Sequence, residues 1–410
     1  MPRAEGMNVG DEHRVSSVTY IVNVRLPTEK AHGLQLARMC EAFQRLHIRT
    51  ALVHPARRQP QWLIGMNPLD FYSVRCQFAV HTLPNLDIVR TERWLPGGLF
   101  TVAHFAHSLL WAEYAVRHAP LLAPADFFVA RDIPVAAALV RRGLPTVLEL
   151  HRAPERWSLR LLKRVAENPF LRVIVTMTEA LRQTLASRGI AITKTTALHD
   201  GVDLERYEGP PETPWRVDQP IVLYTGHLFR EKGIETLVEA ARRLAPDVEV
   251  KVAGGMPQHV DEWRRRVAEH GPDNVEFMGY LPPERIPPLQ KGADLLLLPN
   301  SGQHPHSARY TSPMKLFEYM AAGTPIVASD VPAIQEVLEH DANALFVPPD
   351  DAAALADAIR ALLTDRARGE RLARQAAIDV RQYSWDRRAG ALARAAGYEM
   401  HAPPGTDGPC

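Results

Sequence analysis

The sequence predicts an α/β protein made of two doubly wound domains with parallel sheets. Three observations lead there. Short apolar, β-branched runs alternate with helical patterns almost from end to end, as strands covered by crossover helices require. At 410 residues the chain is too long for one core and suits two domains of ordinary size. Midway, YEGPPETPWRVDQ (207–219) is rich in proline and lacks periodicity, which marks a linker.

In the first half, strands are predicted at VTYIVNV (18–24), DFFVA (126–130), TVLEL (146–150) and VIVTM (173–177), with helices filling much of the space between. Residues 55–100, with their tryptophans and prolines, yield no assignment. The second series has strands at IVLYTG (221–226), VEVKVAGG (248–255), NVEFMG (274–279), ADLLLLP (293–299) and PIVASD (325–330). From Asp351 onward the helical patterns are rich in Ala and Arg, and the tail HAPPGTDGPC reads as disordered. The expected division is 1–206, a linker at 207–219, 220–384, a last helix at 385–400 crossing back to the first domain, and a tail at 401–410.

The formal net charge of +1 gives no bulk electrostatic case for nucleic acid. Three cysteines, Cys40, Cys76 and Cys410, share no metal-ligand spacing and suit reduced thiols in a cytoplasm. The polar N-terminus lacks the features of a signal peptide. No apolar run approaches the roughly 18–20 residues that span a bilayer, so the expected location is cytoplasmic, with any membrane contact peripheral. Trp62, Trp94 and Trp111 are candidates for such contact, although core packing is the commoner fate of a tryptophan.

The most informative stretch is YTSPMKLFEYMAAG (310–323). Ser312 suits an N-cap, Pro313 the first helical position, and Gly323 followed by Pro325 a C-terminal stop. Lys315 then falls at the third helical position, where a cation costs about 0.3–1 kcal/mol. Glu318 lies on the side shared with Met314 and Ala321, an odd place for a carboxylate without a partner. A phosphate at the helix tip and a hydroxyl-bearing group beside Glu318 would explain both. The plainer reading is an amphipathic helix with a Lys315–Glu318 surface pair.

Two further positions stand at carboxyl ends of strands, where open α/β sheets place ligands. Gly226 opens the loop HLFREKG, and Arg230 and Lys232 follow before the next helix. A small residue, cations and a helix N-terminus are what a pyrophosphate needs; the alternative is a solvated basic turn. His151 ends TVLEL; a lone histidine there is as readily structural as functional. Gly254 and Gly255 form no full dinucleotide fingerprint.

The order of these pieces resembles the nucleotide-binding domain of retaining GT-B glycosyltransferases, the large glycosyltransferase family four (group 1). The resemblance rests on GHLFREKG (226–233), VAGG (252–255), VEFMGYLPPERIP (275–287), ADLLLLPN (293–300), SPMKLFEYMAAGTPIVASDVPAI (312–334) and NALFVPPDD (343–351). It implies a GT-B fold, two Rossmann-like domains facing each other across a cleft, and a UDP- or GDP-linked sugar as donor rather than a cofactor. By the same resemblance Glu318 holds the ribose hydroxyls, Lys232 meets the diphosphate, and the base lies against the loop containing Tyr280. Tyr310, Thr311, Ser312, Lys315 and Gly226 complete the donor side in the second domain. Two departures stand out: Tyr310 replaces the family's other glutamate, which contacts the sugar, and His227 replaces an arginine whose charge Arg230 would supply.

In the first domain VNVRLPTEKAHGLQLARMCEAFQRL (22–46) and FFVARDIPVAAALVRRGLPTVLELHRAP (127–154) also resemble the family. Gly33 would let backbone approach the phosphate, Lys30 and His32 would meet the acceptor, and His151 would point into the cleft. TTALHDGVDLERY (195–207) resembles the segment before the linker, with His199 and Asp200 shaping a turn.

No aspartate pair occurs at DxD spacing, and neither a hydrolase Gly-x-Ser-x-Gly elbow nor a full Walker loop is present. The expected function is a metal-independent retaining glycosyltransferase of glycan, polysaccharide or glycolipid synthesis. His151, Arg230 and Lys232 would be catalytic, retention following from the resemblance alone. A sugar-nucleotide epimerase and a catalytically silent sugar-nucleotide-binding subunit are the alternatives.

Overall fold

A computed structural model describes residues 15–88, 97–212 and 219–399. The chain divides into two compact units, one of residues up to Thr176, Leu185–Leu198 and from Asp386 onward, the other of Met177–Thr184 and His199–Trp385. Trp94, residues 213–218 of the expected linker and the tail 401–410 lie outside the described residues.

The first unit holds a seven-stranded sheet: β1 (Ser17–Ile21), β2 (Arg49–Pro55), β3 (Ala79–Leu83), β4 (Phe127–Ala130), β5 (Thr146–Leu150), β6 (Leu171–Thr176) and β7 (Thr195–Ala197). Its order is β3-β2-β1-β4-β5-β6-β7, and every pairing is parallel. The second unit holds β8 (Ile221–Thr225), β9 (Glu249–Ala253), β10 (Val275–Gly279), β11 (Leu295–Leu298), β12 (Ile326–Ser329) and β13 (Leu345–Val347), in the order β10-β9-β8-β11-β12-β13 and again all parallel. Both sheets reverse direction of growth beside their first strand, which creates a switch point between β1 and β4 and another between β8 and β11.

The nine expected strands are all present. The four that carried no expectation are β2 and three edge strands, β3, β7 and β13. Central strands are buried on both faces and read as unbroken apolar runs, as LLLL of β11 does. The edge strand β3 reads AVHTL and keeps only Leu83 buried, so its pattern is mixed.

In the second unit, side chains alternate across the sheet with period two. Val222, Tyr224, Leu295 and Leu297 pack with the helices Ile234–Leu244 and Ala352–Thr364 on one face. Ile221, Leu223, Leu296 and Leu298 pack with the helix Met314–Ala322 on the other. In the first unit, the C-terminal helix Trp385–Ala395 contributes Arg388, whose guanidinium lies 3.3 Å from Glu149 Oε2, with both side chains buried. Cys40 is a buried free thiol. Cys76 is disulfide-bonded, contrary to the expectation of reduced thiols, because spacing alone carries no information on what the fold brings near it.

Candidate functional site

In the second unit the site is built at the β8/β11 switch point. Gly226 follows β8 at φ 132°, and a Cβ there would stand 3.3 Å from Lys315 Nζ. The loop then makes a single turn, Arg230–Lys232, ended by Gly233 at φ 74°. Glycine is required at 233, since a Cβ would lie 1.7 Å from the Pro299 carbonyl oxygen. This close crossing fixes where Lys232 stands relative to the end of β11.

The helix expected to begin at Pro313 begins one residue later, at Met314, with Pro313 as its N-cap and no side chain capping it. Ser312 does not cap because its hydroxyl accepts the Asp200 N–H at 2.8 Å. Lys315 is therefore the second helical residue. The helix start keeps its donors free of side-chain caps, which leaves them for an anion. Gly323 ends the helix at φ 65° as expected.

Lys315 Nζ is buried, has no hydrogen-bond partner among the described residues, and lies 3.7 Å over the Tyr224 ring. Burial first, then the charge of Lys232, pushes its pKa well below the usual lysine value, with Glu318 opposing. Burial also lowers Lys232, opposed by Glu231. Two ammonium groups and an uncapped helix start thus converge, and Lys315 has no hydrogen-bonded acceptor among the described residues.

Glu318 stands one turn further on, where Gln290 Nε2 donates to its Oε2 at 3.5 Å. Gln290 is itself held by the Tyr207 hydroxyl at 2.7 Å and donates to Thr225 Oγ1 at 3.0 Å, while Tyr319 receives the Thr225 N–H at 2.8 Å. These residues tie Glu318 to the end of β8. Sequence reading missed Gln290 and Tyr224; a glutamine in a run as apolar as IPPLQKGADLLLL was the available signal.

The remaining predicted positions are more dispersed. Arg230 is 75% exposed in its side chain, 3.5 Å from Glu235, and Tyr280 follows β10 at 47% exposure. The Tyr310 hydroxyl lies 3.2 Å from Thr184 Oγ1, and Thr311 donates its hydroxyl to the Ser307 carbonyl at 2.8 Å. His227 stacks on Phe229.

In the first unit His151 ends β5 with 30% of its side chain exposed. Its Nε2 lies 3.0 Å from Glu149 Oε1, and the Arg131 guanidinium approaches the same nitrogen to 2.6 Å. Burial and then Arg131 lower its pKa to about 4, so the ring is neutral at pH 7. Burial works against ionisation of Glu149, but Arg388 and His151 outweigh it and hold this carboxyl well below the usual range. Gln35 Nε2 also donates to it at 3.0 Å. Glu149 was the missed residue here: a carboxylate inside an otherwise apolar strand, TVLEL. His32, whose carbonyl accepts from Arg131 at 3.1 Å, is lowered to about 3 by burial and then Arg131. Lys30, at the N-cap of Ala31–Arg45, is exposed. The space beside Gly33 is filled by Tyr72, whose hydroxyl would lie 2.0 Å from a Cβ, so glycine is needed there to admit that phenol.

Residues 219–365 match the group 1 glycosyl transferases. The match falls within the second unit. Its similarity to the α-D-kanosaminyltransferase of Streptomyces kanamyceticus is 33% over 172 residues, 41% of this chain and 42% of the relative. To the phosphatidyl-myo-inositol mannosyltransferase of Mycobacterium leprae it is 26% identical over 394 residues, 92% and 94% of the two chains. Thus the chain spans less than half of the first relative and nearly all of the second. Among solved structures, Anabaena HepE in complex with UDP superposes with a TM-score of 0.67 at 17% identity, over 92% of this chain and 98% of that one. Sucrose-phosphate synthase from Thermosynechococcus elongatus gives 0.69 at 19%, over the same shares. The chain has the GT-B fold, with one Rossmann-like sheet in each unit.

Proposed function

We propose that this protein transfers a sugar from a nucleoside diphosphate donor to an acceptor hydroxyl, with retention at the anomeric carbon. The observation that carries the reading is the buried ammonium of Lys315, which meets no acceptor at the start of an uncapped helix. A diphosphate supplies the missing charge, and developing charge on the leaving oxygens is met by groups already in place. Lys232 and Lys315 take the phosphates. Gly226 allows close backbone approach, and Glu318, steadied by Gln290, takes the ribose hydroxyls. Tyr280 flanks the base, Arg230 reaches in from solvent, and the segment Tyr310–Ser312 borders the sugar. His151, neutral and held by the Arg131 guanidinium donating to its Nε2, hydrogen-bonds the sugar rather than acting as a cation.

Retention is supported by the family resemblance. Metal independence is supported by the lysine pair, which supplies the charge a divalent ion would otherwise bring. Action on a glycan or glycolipid acceptor is supported by the relative that matches over nearly the whole chain, whose name gives a phosphatidyl-myo-inositol mannosyltransferase.

The test is incubation with radiolabelled UDP- and GDP-sugars in EDTA, following slow donor hydrolysis and the anomer of the product. Release of free sugar with the donor's anomeric configuration supports the proposal. A changed sugar still on the nucleotide would mean an epimerase, and saturable binding without turnover a silent binding subunit.

A further inference from the structure

We propose that the helix Arg156–Glu167 of the first unit docks on an anionic lipid surface, through a cationic stripe flanked by Trp157. This inference does not depend on the donor reading.

The helix reads RWSLRLLKRVAE, with Leu162 and Val165 buried. At helical spacing Arg156, Arg160, Lys163 and Arg164 share the opposite face, and all four are exposed, as is Arg152 just before the helix. Five cations against two carboxylates, Glu155 and Glu167, fall in residues 152–167, in a chain whose formal net charge is only +1. None of the five side chains makes a hydrogen bond or ion pair among the described residues; Arg160 lies over the Trp157 ring at 4.9 Å, and Lys163 runs beside Gly189. Several exposed helical cations elsewhere do find acids, as Arg242 with Glu239, Arg266 with Glu262, Arg360 with Asp357 and Arg374 with Glu370, while Arg117, Arg243 and Arg265 stand singly on their helices. What distinguishes this helix is that four such cations share one face.

Trp157 keeps 64% of its surface exposed on the shoulder of the stripe. Long basic side chains beside an exposed indole suit an interface where phosphate headgroups lie over acyl chains: the cations meet headgroups and the indole rests at the boundary. Such attraction is worth roughly 1 kcal/mol for each Lys or Arg near an anionic bilayer. The docking segment starts directly after His151, so the lipid surface would lie close to that histidine. Of the tryptophans singled out from the sequence, Trp62 is 42% exposed, Trp111 at 4% belongs to the core, and Trp94 lies outside the described residues.

The test is flotation of the full chain with phosphatidylcholine vesicles, with and without phosphatidylglycerol. Binding is expected only to the phosphatidylglycerol vesicles and is expected to fall as NaCl rises. Arg156→Gln/Arg160→Gln/Lys163→Gln should weaken it about 100-fold, at about five-fold per charge. Trp157→Ala should weaken it less and leave the salt dependence unchanged. Melting temperature, read on every variant, keeps loss of binding distinct from loss of fold. Equal binding to neutral vesicles, no binding to either, or an unaffected triple variant that melts as the parent does would overturn the proposal. So would binding to RNA or an acidic polypeptide without binding to vesicles.

Discussion

The ammonium of Lys315 rests 3.7 Å above the ring of Tyr224 and meets no hydrogen-bond acceptor among the described residues. A buried cation held only by a ring face is a costly state for the empty protein and a ready one for an anion. Because its folded pKa is lowered, the unfolded chain binds more protons between that value and the ordinary lysine range, so stability rises with pH through this window. Lys315→Met should flatten that rise when melting temperature is followed from neutral to alkaline pH. It should also abolish the melting shift given by UDP or GDP.

Glu318→Gln should weaken nucleotide binding, not the fold. Hydrogen bonds to a charged group are worth about 1.5–3 kcal/mol, so calorimetry should show roughly a 10- to 150-fold rise in Kd. Removal of the ribose 2′-hydroxyl from the ligand should produce a similar loss in the parent and little further loss in the variant.

His151→Ala is expected to lower kcat while leaving the nucleotide-induced melting shift unchanged, because the histidine stands in the other unit from Lys315 and Glu318. A fall in nucleotide affinity of the same size would remove His151 from the reaction step.

Glu149 and Arg388 form a buried pair in the first unit. Glu149→Gln strands the guanidinium and should cost about 3–5 kcal/mol in urea unfolding. Adding Arg388→Met should recover part of that loss. The carboxyl's pKa is depressed, so its contribution is present above the ordinary glutamate range and is lost only as pH falls through the lower, folded value.

Gly233→Ala should destabilise the second unit by about 1–3 kcal/mol or more, combining a left-handed backbone with a Cβ driven into Pro299. A melting temperature equal to the parent's would mean that the loop relaxes, and with it the placement of Lys232.

The sequence by itself determined the α/β class, nine of the thirteen strands among the described residues and the helix that carries Lys315 and Glu318. Parallel strands buried on both faces leave long apolar runs, and a cation at a helix start is visible as a misplaced charge. Only the tertiary structure decided the rest. Edge strands such as β3 lose the apolar signature because one side meets solvent. Ser312 bonds to Asp200 instead of capping its own helix, and the space at Gly33 goes to Tyr72. The partners of Glu149 come from residues as far along the chain as Arg388. Each of these depends on which distant group arrives within hydrogen-bonding reach, and local residue pattern carries no record of that.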